Sequence, residues 1–132
     1  FCALGESFKF LAEQKDMPKA RILGEGVEAA TQGYLDNDNS PQRKPGQPDN
    51  RNSHYWFARY WAEYLAAQDE DAELAAHFSR VAQELSGKED QIMEELMADR
   101  GKPVDQGGYY HPDPEKTAAI MRPSPTFNAI IG

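Results

Sequence analysis

Apolar side chains recur at three- and four-residue steps along most of this chain, and that spacing commits it to helices. Phe1, Leu4, Phe8 and Leu11 share one face of a first helix over 1–15. Leu23, Val27, Ala30 and Tyr34 continue the pattern in a second helix to about Asp36, with Asp16 as its expected N-cap and Pro18 in its first turn. Gly24, Gly26 and Gly33 weaken that helix by propensity, so they predict another backbone packed close against it. A third helix, capped by Asn52 or Ser53 and ending near Gln68, carries Phe57, Trp61, Tyr64 and Leu65 on one stripe with Trp56 and Tyr60 beside it. Arg59 and Glu63 sit one turn apart on it, as an ion pair would.

The short connection at 68–71 predicts an antiparallel return. Leu74, Phe78, Val81, Leu85, Ile92 and Leu96 fit one long fourth helix to about Arg100, with Ser86-Gly87 as a point of breaking or bending and Ser86 with Glu89 as a capping box for a restart. Residues 102–110 are the one plausible extended segment. Asp113 caps a last short helix with Pro114 at its first position, Pro123 stops it, and 124–131 form an apolar tail. The expected fold class is therefore mainly α: antiparallel helical hairpins with a docked C-terminal tail, one structural unit over 1–132.

Between the second and third helices lies an eighteen-residue polar stretch, 36–53, with no apolar side chain except prolines. Loops this long are uncommon in compact domains and tend to be functional or disordered. Between Asp38 and Asp49 its charges are Arg43 and Lys44 alone, and Arg51 follows. In a chain of net charge -8, this island of cations on a proline-stiffened loop is what an anion site looks like, phosphate being the commonest anion. The competing reading is a solvated surface loop. Neither glycine-rich phosphate motif, G-x-G-x-x-G or G-x-x-x-x-G-K-[ST], occurs.

Composition narrows the function classes. With 39% hydrophobic and 27% charged residues, 132 residues suit one soluble domain with its own core. No apolar run approaches the roughly 20 residues of a membrane span. The acidic balance argues against nucleic acid, whose binding rests on many Lys and Arg. Cys2 is the single cysteine, which excludes a disulfide framework, suggests a small buried residue, and sets a reducing, cytoplasmic location as the expectation. A start at Phe1, with an apolar helical stripe already running, leads us to expect a piece of a longer polypeptide.

No catalytic constellation emerges. His54, His77 and His111 lie far apart, without a second His or Cys at ligand spacing, so no metal site is assigned. His77, beside Phe78, reads as a partly exposed filler. Glu89, Asp90, Glu94, Glu95 and Asp99 read as the wet face of the fourth helix, and Asp113 as a cap.

Several stretches together carry a resemblance. They are Leu35-Asp36-Asn37-Asp38-Asn39-Ser40-Pro41-Gln42-Arg43-Lys44-Pro45-Gly46, Asp49-Asn50-Arg51-Asn52-Ser53-His54, Gly101-Lys102-Pro103-Val104-Asp105 through Gly107-Gly108-Tyr109-Tyr110-His111-Pro112-Asp113, and Met121-Arg122-Pro123-Ser124 with Thr126-Phe127-Asn128. In this order the chain resembles the C-terminal end of the bacterial monomeric-type NADP-dependent isocitrate dehydrogenases, over essentially its whole length. The resemblance implies part of the small domain of a larger two-domain α/β enzyme. That enzyme oxidises and decarboxylates isocitrate to 2-oxoglutarate with NADP and Mg²⁺ or Mn²⁺ and is expected to be monomeric, while composition sets the expectation of a cytoplasmic location without nucleic-acid or membrane partners. It further implies that Arg43 contacts NADP near the 2′-phosphate, and that the metal, isocitrate and most other NADP ligands lie upstream of Phe1. Pro125 stands where the resemblance would place a small residue such as alanine. By itself the piece is expected to be inactive. Two rival readings remain: a non-catalytic interaction module using the aromatic helix 53–68, and a stand-alone binder of small anions.

Overall fold

Helices follow one another down the chain in the order α1 (Cys2–Lys15), α2 (Pro18–Asp36), α3 (Asn50–Ala67), α4 (Ala72–Gly87), α5 (Glu89–Met97), α6 (Pro114–Met121) and α7 (Pro125–Ile131). The structure is a computed structural model that describes residues 1–42, 48–98, 107, 108 and 110–132. Arg43 and Lys44, Asp99 and Arg100, and most of the segment expected to be extended at 102–110 lie outside the described residues. Among the described residues there is no strand.

α1 to α4 run up and down, each packed on its predecessor. The α1–α2 hairpin is tight because two glycines meet: an ideal Cβ on Gly24 would lie 3.2 Å from the Gly5 carbonyl oxygen and 3.1 Å from the Phe8 Cβ. α2 then takes the aromatic face of α3. A Cβ on Gly26 would fall 2.8 Å from Trp61 Cδ1, and the Trp61 indole N–H donates to the Leu23 carbonyl at 3.1 Å. The expectation that these glycines mark close packing is met, by backbone at Gly24 and by an aromatic ring at Gly26.

Two hydrophobic cores result. Val27, Ala30 and Phe57 form the first, with Phe8, Tyr60 and Trp61 against it. Tyr55, Ala62, Val81, Ala82, Leu85, Ile92 and Leu96 form the second, closed by Phe127 and Ile130 of α7. The aromatic helix buries Tyr55, Phe57 and Leu65 within the chain and half-buries Trp56, Tyr60, Trp61 and Tyr64. Tyr55, outside the stripe read from the spacing, is wholly buried.

Several local readings are corrected. Asp16 is not the N-cap of α2. It closes α1 in the left-handed conformation (φ 48°), its N–H bonded to the Ala12 carbonyl, and Met17 takes the N-cap place. Two residues separate the helices, too few for Asp16 to serve both ends. α3 begins earlier than expected: Asp49 is the cap, accepting from the Arg51 N–H, and the Asn52 side chain accepts from the Asp49 N–H in return. The fourth helix does break beside Ser86-Gly87, into two helices joined at Lys88, but Ser86 Oγ donates back to the Ala82 carbonyl at 2.9 Å instead of capping the restart. The apolar tail is helical, with Ser124 as its cap and Pro125 in its first turn. Cys2 is exposed, because α1 buries only Gly5.

Candidate functional site

The polar connection between α2 and α3 is the candidate site, and its flanks are built in detail. α2 ends with Asn37 as C-cap, and Asp38 turns the chain through the left-handed region (φ 53°). That conformation suits Asp, a residue that tolerates it. The turn delivers Asn39 into a set of three hydrogen bonds. Its N–H donates to the Tyr34 carbonyl at 2.9 Å, its carbonyl accepts from Ser53 Oγ at 2.8 Å, and its Oδ1 accepts from the Tyr60 hydroxyl at 2.7 Å. Further on, the Gln42 N–H donates to the Pro48 carbonyl at 2.6 Å, so the chain is paired on both sides of 43–47.

The far flank is held by charge. Arg51 Nη2 and Nε donate to Asp49 Oδ2 at 2.8 and 3.1 Å, and Nη1 donates to the Ile120 carbonyl near the end of α6 at 2.8 Å. Its side chain is 11% exposed. Arg51 therefore belongs to the fold and not to the cationic island that its place in the sequence suggests. A guanidinium at a helix C-terminus also meets the negative end of the dipole.

Arg43 and Lys44 themselves lie outside the described residues. On the described flanks Asp49 is paired with Arg51, and Asn39 and Ser53 hydrogen-bond within the chain.

The remaining candidates separate cleanly. His54, His77 and His111 are all exposed and far apart in their settings: His54 lies edge-on to Phe1, and His77 edge-on to Phe78. Among the described residues no three His, Cys, Asp or Glu side chains are grouped to hold a metal ion. Asp113 is the cap of α6, accepting from the Lys116 N–H at 3.0 Å. Two members of the supposed wet face are not idle. Glu89 accepts from Arg59 Nη1 at 2.9 Å, while Arg59 Nε reaches Glu63 at the same distance and the guanidinium lies over the Trp56 ring. Burial alone would lower the Arg59 pKa, but the hydrogen bonds to Glu63 and Glu89 outweigh it and raise the value.

Glu95 accepts from Ser124 Oγ, from Thr126 Oγ1 at 2.8 Å and from the Thr126 N–H at 3.2 Å, which clamps the start of α7. These bonds, the one from Ser124 foremost, hold its carboxyl below the ordinary carboxylate range. A cavity of about 260 Å³ between α3, α6 and α7 touches Arg51, His54, Arg122 and Phe127, but its Ser124 and Arg51 are committed to Glu95 and Asp49.

Asn39, Ser53 and Tyr60 do not stand out as a group in the sequence. Nothing in their spacing signals a contact across 14 and 21 residues. The one hint is a tyrosine at the edge of an otherwise apolar stripe, whose hydroxyl needs a partner when part-buried.

Comparison with known proteins places this geometry in a family. The chain is 48% identical over 131 residues to isocitrate dehydrogenase (NADP) 2 of Mycobacterium tuberculosis, 49% to isocitrate dehydrogenase (NADP) of Corynebacterium efficiens and 48% to that of Azotobacter vinelandii. Each alignment covers 99% of this chain and 18% of the relative, so the chain spans less than a fifth of the length of these relatives. The family model described as monomeric isocitrate dehydrogenase matches residues 1–132, and the chain belongs to that family.

Proposed function

We propose that the polypeptide carrying this chain is an NADP-dependent isocitrate dehydrogenase, converting isocitrate to 2-oxoglutarate by oxidative decarboxylation. The chain-long similarity to enzymes of that name carries the reading. This segment completes the helical part of the small domain and forms one wall of the coenzyme site through loop 36–53. Arg43 holds the 2′-phosphate at the adenosine end, where a planar guanidinium fork matches phosphate oxygens.

NADP, when bound, would supply the hydride acceptor, and no residue of this chain is assigned to the Mg²⁺ or Mn²⁺ expected of the enzyme. The residues of this chain bind and orient the end of the coenzyme remote from the chemistry. We read the enzyme as a cytoplasmic monomer. No described helix is long and apolar enough to cross a membrane.

The test is direct binding of 2′,5′-ADP to the intact enzyme, with 5′-AMP as the probe lacking the 2′-phosphate. The proposal expects Arg43→Ala to weaken the first and spare the second. Equal weakening of both would remove Arg43 from the 2′-phosphate.

A further inference from the structure

α1 has two apolar faces, and among the described residues only one of them is covered. The inner face lies on α2: a Cβ on Gly5 would stand 3.4 Å from Val27 Cγ1, and one on Gly24 would stand 3.1 Å from the Phe8 Cβ. The outer face holds Ala3, Leu4, Ser7, Phe10, Leu11 and Gln14, all exposed. At 3.6 residues per turn these six fall within about 120° of arc. No charge stands among them, whereas Glu6, Lys9 and Glu13 gather along one edge. Ser7 Oγ already donates to the Ala3 carbonyl at 2.8 Å, so covering this face would leave that hydroxyl satisfied.

The exposure is concentrated here. Of the nine large apolar side chains exposed among the described residues, five lie within the first seventeen, and Phe10 is 62% exposed. Single apolar side chains on a surface are ordinary, but a charge-free strip of them along a whole helix marks a contact surface. α1 itself buries only Gly5, so packing on α2 leaves most of its apolar area uncovered.

We propose that the outer face of α1 is a packing seam, covered in the intact polypeptide by another segment of the same polypeptide that presents an uncharged, apolar surface. The relatives have chain to supply such a segment, since this chain spans only 18% of their length. A second copy is not the occupant in an enzyme read above as a monomer. That exclusion rests on the proposed monomeric state, while nothing in the seam depends on Arg43 or on the coenzyme. Glu6 and Glu13 form the wet rim of the contact, and Phe10 and Leu11 lie at its centre.

Hydroxyl-radical footprinting of the full-length protein tests this without any substitution, on a dilute sample whose mass is measured by light scattering. With one chain per particle, Phe10 and Leu11 should be modified at least several-fold more slowly than in the same chain unfolded in urea. Phe10→Asp should lower the melting temperature of the full-length protein, and Glu13→Ala, on the rim, should leave it unchanged. Modification of Phe10 in the folded monomer nearly as fast as in urea would show an open face and overturn the proposal. A melting temperature indifferent to Phe10→Asp overturns it as well. Protection that appears only when the measured mass doubles assigns the face to a second copy, and then the monomeric reading fails together with the seam.

Discussion

The Tyr55 hydroxyl donates to the Leu85 carbonyl at 2.7 Å, from a ring with no exposed surface, and so stitches α3 to the last turn of α4. The Leu85 oxygen lies in the last four residues of α4, where intrahelical partners run out, and the tyrosine satisfies it. Burial pushes the phenol pKa up, keeping it a donor. Tyr55→Phe should cost about 1–2 kcal/mol, the penalty of an unsatisfied buried acceptor. A thermal melt of the enzyme carrying the substitution checks this, and faster amide exchange should appear in 82–92.

Two glycines predict opposite responses to the same substitution. Gly26→Ala gains about 1 kcal/mol in helix propensity. Its Cβ, however, would stand 2.8 Å from Trp61 Cδ1 and 3.0 Å from Tyr64 Cδ1. Shifting two packed rings costs more than the propensity returns, so a net loss of about 1–3 kcal/mol is expected. Gly87, in the last turn of α4, has nothing within 4 Å of an added Cβ. Gly87→Ala should stabilise by about 0.5–1 kcal/mol. Paired denaturation curves of the two variants test both signs.

Glu95 makes the docking of α7 pH-dependent. Its folded pKa lies below the ordinary carboxylate value of 4.5, chiefly through the hydrogen bond from Ser124. A lowered folded value means that the contribution is fully present above the unfolded pKa and fades as pH falls through the folded one. Glu95→Gln replaces an acceptor by a group that also donates toward Ser124 and Thr126. Near neutral pH it should cost about 0.5–1.5 kcal/mol. The difference from the parent should shrink as pH drops below 4.5 and vanish once the parent carboxyl is protonated. Exchange protection in α7, compared between the two proteins at each pH, measures it.

How far the sequence reading reaches depends on the range of each interaction. Spacing alone locates α1, α2, α3 and α6 to within a few residues, because periodicity and caps such as Asp113 are local signals. The failures are local competitions settled by geometry. Asp16 could cap either helix of the hairpin, and a two-residue turn allows only the first. Ser86 could restart a helix or bond back within one, and it does the second. The C-terminal Ser-Pro-Thr run reads as a helix start once Ser124 is taken as the cap, yet its anchor, Glu95, lies 29 residues earlier on another helix. Arg51 has the look of a free loop cation, since neither its pairing with Asp49 through the cap nor its bond to Ile120 is written in one dimension. For the same reason, the loop's cationic character is legible and the Asn39 clamp is not.

On the proposed reading, Arg43 recognises the phosphate that distinguishes NADP from NAD. In the intact enzyme, Arg43→Ala should weaken NADP by about 1.5–3 kcal/mol, a charge-assisted hydrogen bond's worth. Because the 2′-phosphate is remote from hydride transfer, the loss should appear as a KM for NADP raised roughly ten- to hundredfold, with kcat little changed and any use of NAD unaltered. Steady-state kinetics with both coenzymes decides it: a selective rise in the NADP KM is the predicted result, and an equal fall in NADP and NAD use would contradict the account.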